Sequence, residues 1–319
     1  NHYRPISHYF RQNFSQVTNP PIDSLRENKV MSLKTRFGNL GTILDFENLT
    51  KENIYVLDSP VLTNSQLKKF RTMFSKKVGL IDCTFNIKDN LRNRLEQIRE
   101  EAEIAVRGGT NHLVLSDLNV SEERAIVPML LAVGAVHSSL VTLSLRGYAS
   151  INVQTAEAMD THSFAVLIGA GATTVNPYLA IDSIYQRYEK KLFGKLDFES
   201  CVERFKKSIN AGLLKIMSKM GISVLSSYRG GCNFEAVGLS RGLVADYFPG
   251  MISRISGIGI SGIEKKIKEL HLKAYQKNVV ILPIGGLYKY RKSGEDHQFQ
   301  GNLIHLLQHA VGSNSYETF

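Results

Sequence analysis

A chain of 319 residues is long enough for one large α/β domain or two ordinary ones. Its composition, 43% hydrophobic and 21% charged, is that of a soluble globular protein. The formal net charge of +10 sits on separated pairs: Lys68-Lys69, Lys76-Lys77, Lys190-Lys191, Lys206-Lys207 and Lys265-Lys266. A nucleic-acid binder concentrates its positive charge and interleaves aromatics with it, so the expected partners include no nucleic acid. A lysine-rich solvated surface, or one that meets an acidic neighbouring domain, accounts for the charge. Cys83, Cys201 and Cys232 are odd in number and far apart, which argues against a disulfide framework and suits a reducing cytoplasm.

In chain order, the first fifty residues stand outside any α/β alternation. They hold "NPPID" and a short helix after Asp23, and read as an N-terminal arm (1–50). From residue 51 short apolar strands alternate with helices. "NIYVL" (53–57) reads as a strand, followed by a helix from about Ser65 to Phe74 whose start is marked by Thr63 and Asn64. "KVGLIDC" precedes a long amphipathic helix ended by Gly108 and Gly109, and "HLVLSD" precedes a helix beginning near Ser121. "ASINVQT" and "TTVNPYL" follow with their helices, then a helix over Phe198–Met220 leads into "ISVLSS". Such alternation implies parallel strands with right-handed crossovers. It gives about six clear repeats and then decays, so the expected fold is an incomplete or distorted (β/α) barrel-like domain (51–284). A polar connector and one helix, "NLIHLLQHAV", complete the chain (285–319).

Ile126–Leu145 has a span-like length and no charge, but Pro128, His137 and several hydroxyls interrupt it. A helix buried inside the α/β fold explains it, and no membrane partner is expected. The chain has no signal peptide and no Met at position 1, and it reads as a piece of something longer.

Several patterns bear on chemistry. Asp58, Asp82 and Asp117 end strand-like runs, the edge where a barrel carries its catalytic groups. They equally suit helix capping, which "SDLNVSEER" favours for Asp117. Gly257, Gly259 and Gly262 have the spacing G-x-G-x-x-G, yet "FPGMISRIS" makes a poor buried strand before them and no carboxylate lies about twenty residues on. "VLIGAGATTV" reads as a helix end turning into a strand. His305 and His309 have metal-sharing i, i+4 spacing, but Leu306 replaces the zincin glutamate, and two partly packed histidines are expected instead. Cys232 lies beside Arg229 in a glycine loop with no neighbouring histidine to serve as base. No complete catalytic set emerges from the residues alone.

The stretch "HYFRQNFSQVTNPPIDSLRENKVMSL" (8–33) resembles the opening of the central domain of glutamate synthase, large-subunit type. Similar blocks continue collinearly through "LVLSDLNVSEERAIVPMLLAVGAVHSSL", "HSFAVLIGAGATTVNPYLAIDSI", "GLLKIMSKMGISVLSSYRGG", "RISGIGI", "GGLYKYRKSGEDHQF" and "IHLLQHAVGSNSYETF". The resemblance implies an amidotransferase domain upstream and an FMN-binding barrel downstream on the same polypeptide. It implies L-glutamate made from L-glutamine and 2-oxoglutarate, FMN and an iron–sulfur cluster elsewhere in the parent, and no cofactor, metal or catalytic residue in this segment. A small electron-supplying subunit or ferredoxin would be a further partner.

Ammonia released at one site must then reach the other without loss to bulk water. Thr18, Asn19, Pro20 and Pro21 are the candidates for that passage: the prolines stiffen the backbone and the polar pair offers oxygens. The segment departs from the family in having His137-Ser138-Ser139 where histidines often run together, Gly231-Cys232 where Ala-Gln is common, and Gln154 near an expected glutamate. Alternatives from the residues alone are an independent barrel enzyme using the strand-end carboxylates, or a basic polyanion-binding module.

Overall fold

Capping side chains mark the starts of five helices of this α/β chain. In the computed structural model, residues 5–14, 23, 25–38, 54–231, 233–277, 284–286 and 290–319 are described. Their strands are β1 (Phe10–Gln12), β2 (Thr35–Gly38), β3 (Ile54–Leu57), β4 (Val78–Asp82), β5 (Thr84–Asn86), β6 (His112–Ser116), β7 (Arg124–Ile126), β8 (Ser150–Gln154), β9 (Thr174–Asn176), β10 (Phe234–Leu239) and β11 (Ile252–Ile258). Their helices are α1 (Glu27–Val30), α2 (Asn64–Met73), α3 (Leu91–Arg107), α4 (Met129–Thr142), α5 (Thr161–Gly169), α6 (Tyr178–Glu189), α7 (Phe198–Met220), α8 (Leu225–Tyr228), α9 (Arg241–Tyr247), α10 (Ile260–Ala274) and α11 (Gly301–Gly312). Thr63 and Gln66 form a capping box on α2, and Asn90, Asp160, Asp197 and Ser240 cap α3, α5, α7 and α9. Gly221 closes α7 in the left-handed region at φ 70°, where a Cβ would be strained.

The chain divides into two compact units, Pro5–His271 and one containing Leu272–Phe319. In the first, a parallel sheet runs β4-β6-β8-β9, joined by the crossovers α3, α4 and α5. Odd-numbered residues Ile81, Leu113, Leu115, Ile151, Val153 and Val175 belong to the large core with Leu91, Leu95, Ile98 and the α4 and α5 side chains. β10 and β11 form a second parallel pair, with β1 antiparallel on β10. Among the described residues no closed barrel forms, so the architecture is incomplete and barrel-like.

"NIYVL" is a strand, but not the first parallel one. β3 pairs antiparallel with β2, and Val56 is 48% exposed, as suits a half-covered hairpin and not a buried parallel strand. Three residues further on the chain joins the parallel sheet: Leu62 N–H donates to Val175 O at 2.9 Å, and Val175 N–H to Pro60 O at 2.8 Å. The strand missing from the glycine-motif reading also exists. β11 runs parallel to β10 directly into α10, although it is mostly exposed. The uncharged run Ile126–Leu145 contains α4, which is buried along most of its length. Among the described residues no helix is long and apolar enough to cross a membrane. The apolar run "NVVILPI" (278–284), strand-like in sequence, lies almost wholly outside the described residues.

The other sheet face is polar at its centre. Asn152, fully buried, donates to Leu113 O at 3.1 Å and Ser150 Oγ at 2.9 Å, and accepts from Thr174 Oγ1 at 2.7 Å. Ser150 Oγ also meets His112 Nδ1 at 3.0 Å. Phe70 and Phe74 of the α2 segment cover His112, with ring centroids 4.9 and 4.6 Å away. Leu62, Leu67, Phe70 and Val114 form a small cluster over the same face.

Asn152→Ala removes the amide that bonds Leu113 O, Ser150 Oγ and Thr174 Oγ1 in a dry interior, and urea unfolding is expected to show a loss of about 3 kcal/mol. Asn152→Ser, which keeps a short donor and acceptor, should lose less.

Candidate functional site

The carboxyl ends of β4, β6, β8 and β9 form the edge at which open α/β sheets place ligands and chemistry. Asp82, Asp117, Gln154 and Asn176 stand there. Asp82 is held on both oxygens: Oδ1 accepts from Thr84 N at 3.0 Å and Thr84 Oγ1 at 2.8 Å, while Arg124 Nη2 approaches Oδ2 at 3.0 Å. Arg94 of α3 donates to the Asp82 carbonyl at 2.6 Å and grips Glu101. This ties the end of β4 to the β5–β7 pair and to the first turns of α3.

Asp117 is fully buried. Its Oδ2 accepts from Thr155 Oγ1 at 2.6 Å, and both oxygens accept from Ala156 N at 3.2 and 3.1 Å. The Tyr178 hydroxyl lies near enough to act on the same carboxyl. Burial raises this carboxyl above the ordinary range, and the hydrogen bonds pull in the opposite direction. Asp117 therefore does not cap the helix that follows it, as its sequence context suggests. It fastens the loop after β8, because the parallel register sets that loop beside it.

The same pattern continues across the edge. Ser116 Oγ donates to Gln154 Oε1 at 3.0 Å, and Glu157 Oε2 accepts from Met129 N at 2.6 Å at the start of α4. Asn176 Nδ2 donates to Leu62 O at 3.0 Å and Asn64 Oδ1 at 2.9 Å. Most of the groups named here bond from loop to loop, in place of converging on a common point, although Asn176 Oδ1 and Arg94 Nε are buried without a hydrogen-bond partner. Asp58 takes no part: it follows β3, ahead of the Pro60–Leu62 stretch that joins the parallel sheet, and is exposed. The sequence reading missed Thr155, Glu157, Asn176 and Tyr178, whose signal was a polar residue just past an apolar run.

Cys83, between Asp82 and the β5–β7 pair, is fully buried, and burial first, then Asp117, pushes its thiol up out of the reactive range. At the opposite edge Arg146 donates to His137 Nδ1 at 3.0 Å, Ala149 O at 2.6 Å and Gly171 O at 2.9 Å. The His137 ring fits against Gly171 (φ 124°) and Gly230 (φ 69°); a Cβ on Gly171 would overlap it. Burial, then the Arg146 and Arg229 charges, lowers His137 to about 4. Burial, with Lys77, lowers His112 to about 4 as well.

The other sequence candidates fall into place singly. Gly257 lets β11 approach β10, since a Cβ there would collide with the Gly238 backbone. Gly169 and Gly171 end α5 before β9, as the helix-end reading requires. His305 and His309 are both exposed on α11, not partly packed. Among the described residues no group of three or more His, Cys, Asp or Glu is placed to hold a metal. Thr18, Asn19, Pro20, Pro21 and Cys232 lie outside the described residues.

Residues 1–240 match the family model for the glutamate synthase central domain. This chain belongs to that family. The glutamate synthase [NADPH] large chain of Azospirillum brasilense is 56% identical over 99% of this chain and 21% of its own length. The ferredoxin-dependent glutamate synthase of Spinacia oleracea is 38% identical over 98% of this chain and 20% of its own length. The chain thus spans about a fifth of the glutamate synthases it matches. A flavocytochrome b2 variant with sulfite bound aligns over 59% of this chain and 41% of its own, at 17% identity and a TM-score of 0.32. That likeness is too slight to inform the glutamate synthase fold.

Asp117→Ala is expected to cost about 3 kcal/mol in urea unfolding, because Thr155 and Ala156 keep buried donors without an acceptor. Asp58→Ala should stay within about 0.5 kcal/mol. With pH the sign is set by His112 and His137. The folded state holds both near 4, below their ordinary 6.5, so the unfolded chain takes up protons first. Their contribution is complete above about pH 6.5 and is lost as pH falls toward about 4. His137→Gln, which retains an acceptor for Arg146, should flatten this dependence in unfolding titrations.

Proposed function

We propose that this chain is the connecting domain of a glutamate synthase and carries no complete catalytic set of its own. The parent reaction makes L-glutamate from L-glutamine and 2-oxoglutarate. Glutamine hydrolysis occurs in an amidotransferase domain, and reduction occurs at FMN in a second domain of the same polypeptide. Electrons reach that site through an iron–sulfur cluster from a small electron-supplying subunit or ferredoxin. The relatives named as NADPH- and ferredoxin-dependent enzymes support this reading.

One observation carries it most directly. Asp82 and Asp117, at the strand ends where an independent barrel enzyme would act, are committed to neighbouring loops, and Asp58 stands apart and exposed. Asp58, Asp82 and Asp117 do not form a shared acidic centre, so the independent-enzyme alternative has no support here. A rigidly laced edge suits a domain that fixes the distance and orientation of two others. Water would protonate and disperse ammonia, so a walled route between the sites is required. Thr18, Asn19, Pro20 and Pro21 remain our candidates for part of that wall, and residues 285–319 for the connector toward the FMN-binding domain.

The test uses the full parent polypeptide carrying Pro20→Gly and Pro21→Gly together. Glutamine-dependent glutamate formation is expected to fall about tenfold with free ammonia appearing in solution, while the rate with added ammonia is retained. Equal loss with both nitrogen sources, or no loss, would remove these residues from the passage. A flavin bound to the isolated 319-residue chain would overturn the connecting role itself.

A further inference from the structure

We propose that the open edge of β4 and the adjoining α2 groove receive an extended, carboxylate-bearing segment from elsewhere in the parent polypeptide, added as a further strand. This rests on the reading of the chain as a connecting domain. Three independent features of the first unit support it.

The first is an unfinished sheet edge. Among the described residues β4 pairs only with β6 and forms the end of the parallel sheet. Parallel sheets are normally covered on both faces, and an exposed edge presents unpaired backbone groups to any passing strand. Leu80, at the centre of β4, is 53% exposed, whereas the β6 residues beside it are buried. Ile81 faces the α3 core, so Val78 and Leu80 belong to the face that α2 only partly covers.

The second is shape. A groove of about 800 Å³ runs beside this edge, lined by Leu67, Lys68, Arg71, Val78, Leu80 and Gln154 among others. Its apolar floor and polar wall match the alternating faces of an added strand.

The third is charge. Residues 59–81 contain Lys68, Lys69, Arg71, Lys76 and Lys77 and no Asp or Glu. All five cations are exposed. An incoming strand with apolar side chains toward Leu80 and carboxylates toward Lys68 and Arg71 meets both requirements. Length supplies a source: about four fifths of the relatives' polypeptide lies outside the stretch this chain matches.

The probes are a capped octapeptide alternating valine and glutamate, its valine–lysine counterpart, and a single-stranded oligonucleotide, each added to the 319-residue chain. The glutamate peptide should bind and slow hydrogen exchange at the β4 amides. The lysine peptide should bind about tenfold more weakly. Lys68→Glu with Arg71→Glu, both on the surface, should reverse the preference, and Leu80→Lys should abolish binding of the glutamate peptide with helix content unchanged. Absence of binding, equal binding of both peptides, or protection away from β4 would overturn the proposal. Oligonucleotide binding of equal strength without β4 protection would overturn it in favour of a general polyanion surface. The connecting role is read separately, from flavin content and nitrogen transfer in the parent, and stands whichever way the peptides behave.

Discussion

The central constraint in this structure is that a parallel sheet carries buried polar side chains on the face away from its main core. Asn152 holds that face together by bonding to the backbone of one neighbouring strand and the hydroxyl of the other. A one-residue slip in register would exchange these polar groups with Leu113, Ile151 and Val153, burying unsatisfied atoms on one side and exposing apolar surface on the other. The register in turn sets Asp117 beside the loop after β8 and Ser116 beside Gln154. Sheet alignment and loop lacing are therefore one property.

The α2 segment belongs to the same scheme. Where a complete barrel would close round its own interior, Leu62, Leu67, Phe70 and Phe74 cover the polar face from one side. The aromatic cover removes water from His112 and holds it neutral, so the ring acts as a polar packing element. His137 plays a comparable part at the opposite edge, as an acceptor for Arg146 enclosed by glycine backbone. Neither imidazole is placed to exchange protons with substrate in the neutral range.

A fold of this kind can keep the outline of a barrel while giving up its chemistry. Carboxylates at strand ends become braces when the next loop supplies donors at hydrogen-bond distance. The same replacement explains why the glycine pattern at Gly257 serves strand packing: the close approach to Gly238 uses the missing Cβ. Family membership and the laced edge are compatible with one another: the strand-end groups brace loops in a glutamate synthase central domain.

Local signals were legible directly in the sequence. Thr63, Gly108–Gly109 and the limits Phe198–Met220 marked helix ends because caps and breakers act within a few residues. The alternation of short apolar runs with helices gave the α/β class, and long collinear blocks gave the family. Pairing was not legible. "NIYVL" looked like the first parallel strand, yet its partner is β2, because strand partnership depends on chain segments far apart in sequence. The fate of Asp117 was hidden for the same reason: its capping context is local, but its donors lie nearly forty residues on, at Thr155 and Ala156. Sequence alone determined the main helices, the buried parallel strands and what kind of protein they build, but not β7, in a stretch read as helix, or the exposed β11. Only the tertiary structure decided what the strand-end carboxylates do, since their roles follow from which loops the sheet register brings within reach.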